Sequence, residues 1–137
     1  MFIKMTFLML FGWKDFLFLS CLFKLKTMKN YIVIFREPDG RQDAHTEQEV
    51  ATHRENWSKW FAEWGAKGKL AGGSGLTLDG RIIKDGQATE GIYQVGTEIV
   101  GGFLLLKAED LDEAAEIAAS CPIYEFDGYA EVREMQQ

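Results

Sequence analysis

Two cysteines, two prolines and two histidines in 137 residues remove several kinds of chemistry at the outset. Cys21 and Cys121 stand far apart in the chain, and His45 and His53 are the only histidines, so neither a disulfide framework nor a zinc-ligand cluster can be assembled. A reducing, cytoplasmic setting is expected. No metal and no cofactor is expected either: Gly72, Gly73 and Gly75 lack the lysine and threonine of a phosphate loop and the pattern of a dinucleotide fingerprint. A basic surplus is also missing. The formal net charge is -6 and the pI about 4.9, and an acidic body repels phosphate backbones, so nucleic acid is not an expected partner.

An unbroken long apolar run is lacking too. Residues 1–27 hold six of the ten phenylalanines, but Lys14 and Asp15 split their apolar runs, and a membrane span wants about 20 consecutive apolar residues. Small residues suited to signal cleavage are absent after the apolar stretch, where Leu22, Phe23, Lys24 and Leu25 follow Cys21. This basic, apolar extension is read as lying outside the domain, which runs from Met28 to Gln137. A start placed too far upstream, an export or membrane role, and a helix docked on the domain are the three readings of it.

From Met28 onward the chain has enough apolar content for one domain with its own core. Tyr31 to Arg36 reads as a central strand that stops at the turn formers Glu37-Pro38-Asp39-Gly40. Thr46 and Glu49 make a capping box, which predicts a helix from there to about Lys67. Leu70 to Leu78 reads as a glycine-broken strand, and Asp79-Gly80 between two apolar runs predicts a hairpin, with a further turn at Asp85-Gly86. Residues 87–100 give no firm reading beyond brief pairing at Ile92, Tyr93 and Val95. Phe103 to Lys107 is a buried strand by continuous apolarity. Asp110 caps a short helix through Ala114 and Ile117 that ends before Pro122, and Tyr129 to Met135 alternates as a last strand. Strand, helix, strand with hairpin, strand, helix, strand is an α+β, ferredoxin-like βαββαβ order, an antiparallel sheet with both helices on one face. Nothing in the chain is left to cover the other face, where Ile32, Ile34, Phe103 and Leu105 or their neighbours must point. A second copy is expected there, making a homodimer.

His53 is the residue that points to function. Val50, His53, Trp57, Trp60 or Phe61, and Trp64 recur at three- and four-residue intervals and share one helix face that must be buried. An imidazole there either has a hydrogen-bond partner in the core or borders a cavity, where it can act as a general base. Trp57, Trp60 and Trp64 suit a core at this spacing, or stacking against a planar or cationic ligand. Gly72 and Gly73 allow close backbone approach to a small organic ligand. Cys121 reads as a buried inert thiol, or as a substrate contact and nucleophile within reach of His53, Asp85 as a turn residue or the partner of His53, and His45 as solvent-exposed.

In order and spacing, YIVIFR, H-x-x-x-W, G-K-L-A-G-G-S-G-L, K-D-G, G-G-F-L-L-L-K-A-E-D-L-D-E-A, C-P-I and G-Y-A-E-V-R resemble the YCII-related family, including its DGPF-type branch. The resemblance covers nearly everything from Met28 onward. It implies a ferredoxin-like, dimeric α+β barrel with a pocket between sheet and helix near His53. The family's suspected active pair is a histidine of the long helix and an aspartate in a D-P-F segment. His53 matches the histidine, whereas Cys121-Pro122-Ile123 stands in place of D-P-F and Asp85-Gly86 keeps only part of DGPF. The expected function is a small-molecule pocket with cofactor-independent proton transfer or hydrolysis, with a non-catalytic ligand-sensing or protein-docking module as the alternative. A cofactor-free monooxygenase or isomerase of the wider fold group is a third reading, by fold analogy alone.

Overall fold

A computed structural model describes residues 27–41 and 43–137. The readings of the N-terminal extension fall outside the described residues. The order is β1 (Lys29–Pro38), α1 (Glu47–Ala66), β2 (Leu70–Gly75), β3 (Arg81–Lys84), β4 (Gln87–Glu90), β5 (Glu98–Ala108), α2 (Leu111–Ala119), a 3-10 turn (Pro122–Phe126) and β6 (Tyr129–Glu134). The main sheet runs β2-β5-β1-β6 with every neighbouring pair antiparallel. With β3 and β4 set aside as an inserted hairpin, this is the strand order of the ferredoxin-like α+β fold.

The core lies between this sheet and the two helices. Tyr31, Val33 and Phe35 of β1 and Leu104, Leu106 and Ala108 of β5 pack with Trp60 of α1 and with Ala114, Ile117 and Ala118 of α2. Strand periodicity sends alternate side chains to this side, and both helices cover it. Ile32, Ile34, Phe103 and Leu105 point to the opposite face, which no described element covers.

Both helix starts follow from the sequence. Thr46 accepts from the Glu49 amide at 3.2 Å while the Glu49 carboxylate accepts from the Thr46 amide at 2.7 Å, and Asp110 accepts from the Glu113 amide at 2.8 Å.

Three local expectations are corrected. The first strand does not stop at Arg36 but runs to Pro38, because its alternation carries Glu37 onto the core side after Tyr31, Val33 and Phe35. The hairpin forms at Asp85-Gly86 rather than Asp79-Gly80. Asp85 (φ 51°) and Gly86 (φ 76°) both adopt the left-handed region that a two-residue loop demands, and Lys84 pairs with Gln87 across them. Leu76 to Leu78 cannot serve as a strand of that hairpin, because β2 ends at Gly75 after pairing with Gly102 of β5. His45 is not solvent-exposed: its ring stacks on Phe126 with centroids 3.8 Å apart and planes 6° from parallel.

Candidate functional site

A cavity of about 550 Å³ opens between α1 and the β1, β5 and β2 end of the sheet. Apolar walls come from Phe35, Trp57, Phe61, Leu70 and Leu104, and the polar groups bordering it include Glu37, Arg41, His53 and Arg54. The sheet side is built on glycine. An alanine Cβ at Gly73 would stand 2.6 Å from the Phe103 carbonyl oxygen, so β2 can approach β5 this closely only without a side chain. Gly72 and Gly73 line the cavity together with His53 and Trp57.

His53 is held from both sides. Its Nδ1 lies 3.1 Å from Glu125 Oε1, and the Trp57 indole Nε1–H donates to its Nε2 at 3.0 Å. An indole N–H only donates, so Nε2 must accept and the ring proton sits on Nδ1, donating to Glu125. Asn56 in turn donates to both oxygens of Glu125, at 3.3 and 2.9 Å. Phe126 stacks on the other face of this assembly, with its centroid 4.1 Å from that of His53. The spacing His53, Asn56, Trp57 on one helix face, meeting the 3-10 turn, produces the arrangement. To take a proton from a ligand, Nε2 has to exchange the indole N–H for the ligand's own donor, while Glu125 remains as counter-charge for the imidazolium.

Glu37 is a further site residue that the sequence reading missed, as it missed Glu125, Asn56, Arg41 and Arg54. It is the one buried charged residue among the described residues, 7% exposed, and it borders the same cavity. Arg41 Nη2 stands 2.5 Å from its Oε1. A Cβ at Gly101 would fall 1.6 Å from that oxygen, so the glycine leaves the room that the carboxylate occupies. Gly101 is skipped in the β1–β5 pairing, at a bulge beside Phe35 and Arg36. Burial pushes the Glu37 carboxyl up from its ordinary range, and the nearby Arg41 and His53 only partly offset this. The folded protein therefore binds this proton more tightly than the unfolded chain. Its contribution to stability falls as pH rises above the ordinary glutamate range and is not regained at neutral pH. The signal in the sequence was the alternation of β1, which a turn-forming Pro-Asp-Gly cluster concealed.

The remaining residues lie elsewhere. Asp85 sits at the tip of the β3–β4 hairpin, which packs on no other described element, and does not line the cavity. Cys121 is buried in the core, off the cavity lining, and desolvation pushes its thiol up to about 11, so it stays protonated near neutrality. Of the tryptophans, Trp60 belongs to the core and Trp57 walls the cavity, while Trp64 carries the Lys67 ammonium 4.3 Å above its ring. Among the described residues, no group of three or more His, Cys, Asp or Glu side chains is placed to hold a metal ion.

A family model described as the YCII-related domain matches residues 30–136, and the chain belongs to that family. No curated protein matches the chain.

Proposed function

We propose that this YCII-related chain binds a small organic molecule in the cavity beside His53 and carries out cofactor-independent proton transfer there, with His53 as the base. The observation that carries the reading is an imidazole fixed in one tautomer by Glu125 and Trp57 at the edge of a largely apolar cavity. Glu125, held by Asn56, takes the orienting place expected of Asp85. The buried, protonated thiol of Cys121 suits a reducing compartment, and the reading places the protein in the cytoplasm.

Proton transfer can be tested before a substrate is known. Fragments that shift the Trp57 indole resonance are incubated with protein in deuterated water, and exchange of their carbon-bound hydrogens is followed. His53→Gln is expected to slow that exchange by roughly 100-fold or more while the far-ultraviolet spectrum is unchanged. Fragments that bind but never exchange would favour a ligand-sensing module, and loss of folding in the variant would make His53 architectural.

The second part of the reading is a homodimer through the uncovered sheet face. It is supported by the apolar row of Ile32, Ile34, Phe103 and Leu105, against which no described element packs. Sedimentation equilibrium is expected to give twice the chain mass, and Leu105→Glu to halve it; a wild-type monomer at micromolar concentration contradicts the dimer.

A further inference from the structure

We propose that the ligand is a small organic anion with a planar apolar body, such as an aromatic carboxylate, and that its charged end takes the Arg41 guanidinium away from Glu37. This deepens the reading of the cavity as a ligand site and rests on it. Among the described residues, four titratable side chains border the cavity: Glu37 from β1, Arg41 from the loop after it, and His53 and Arg54 from α1. None comes from β2 or β5, and Glu125 meets the site only through His53. Glu37 and Arg41 cancel each other, and His53 is neutral while its Nε2 accepts from Trp57. Arg54 has no carboxylate within ion-pair distance among the described residues. Before any proton moves, the cavity therefore carries one positive charge in excess, which draws an anion in.

The two arginines and the aromatic walls divide the ligand between them. Phe35, Trp57 and Phe61 offer rings to a flat apolar body, with Trp57 and Phe61 already stacked 5.3 Å apart. Arg41 keeps 23% of its side chain exposed against 8% for Glu37, so the guanidinium can turn to a ligand while the carboxylate stays seated over Gly101. A bidentate guanidinium–carboxylate pair is the contact that this geometry favours. Once Arg41 has turned, Glu37 is left desolvated with no counter-charge and takes up a proton from solvent. Anion binding and proton uptake are thereby linked, and no other group facing the cavity needs to change its charge.

The full chain is titrated calorimetrically with 2-naphthoate and with its uncharged isostere 2-naphthamide, in buffers of different ionisation enthalpy at neutral pH. The carboxylate is expected to bind at least about tenfold more tightly than the amide, with net proton uptake. Arg41→Gln removes the preference, and Glu37→Gln keeps the preference but abolishes the uptake. Should the single variants fail to fold, the double variant Glu37→Gln/Arg41→Gln, which keeps Arg54 but has no charge in that pair, is expected to abolish the uptake and to bind the carboxylate more weakly than the unaltered protein does. Equal affinity for the two probes overturns the proposal but leaves the cavity a ligand site, as does carboxylate binding without proton uptake in the unaltered protein. Failure of both probes to bind also overturns it, and the exchange experiment on His53 then decides the broader reading independently.

Discussion

Trp60→Ala is expected to lower the unfolding free energy by about 3–5 kcal/mol, the range for truncating a large aromatic side chain in a packed core. Trp60 is 6% exposed and lies in the cluster that joins α1 to the sheet and to α2. Its indole Nε1–H also donates to Ser120 Oγ at 2.9 Å, and that hydroxyl donates to the Ile117 carbonyl at 2.8 Å. The loss thus combines a cavity with the hydrogen bond from the indole to Ser120, whose hydroxyl keeps its own bond to Ile117. Equilibrium denaturation in urea measures it, and Trp60→Phe, which keeps most of the volume, should lose only about 1–2 kcal/mol. Equal losses in the two variants would mean that packing around the ring contributes little.

Gly73→Ala is the second substitution expected to have a large effect, and its cost falls on the cavity wall. The position combines φ +147°, which side chains rarely adopt, with a Cβ site 2.6 Å from the Phe103 carbonyl oxygen and 2.9 Å from Leu104 Cα. Both neighbours are backbone and cannot give way as a flexible side chain can. A loss of about 2–4 kcal/mol is expected, in the range of mutations that strain backbone and core together. Because β2 pairs with β5 alone among the described strands, hydrogen exchange should speed first at the β2 amides. Gly75→Ala, two residues on in the same strand, supplies the control: nothing lies within 4 Å of its Cβ site and its φ is not left-handed. It should change stability by no more than about 0.5 kcal/mol. If the two alanines behave alike, the close approach of β2 to β5 is not what requires glycine at Gly73.

Much of this molecule could be read from local patterns. Thr46 with Glu49, and Asp110 with Glu113, mark their helix starts because capping is a contact between residues three apart in the chain. The same locality explains why the helical spacing of His53 and Trp57 was legible, along with the glycines opposite them. Where two local signals competed, the sequence chose wrongly. Asp79-Gly80 and Asp85-Gly86 carry the same turn chemistry, and only the pairing of β2 with β5 removes Leu76 to Leu78 from the contest. At Glu37 the turn formers that follow it outweighed the alternation that precedes it.

Composition, capping and periodicity pointed by themselves to an α+β fold, to which helix face is buried, and to His53 on that face. Each of these follows from interactions spanning only a few residues or from the period of a single element. Tertiary structure alone decided what His53 touches: Glu125, 72 residues away, at one ring nitrogen, and the cavity that also holds Glu37 and Arg41. Such partners meet because separate elements pack on a common sheet, and no pattern within any one of them encodes the distance.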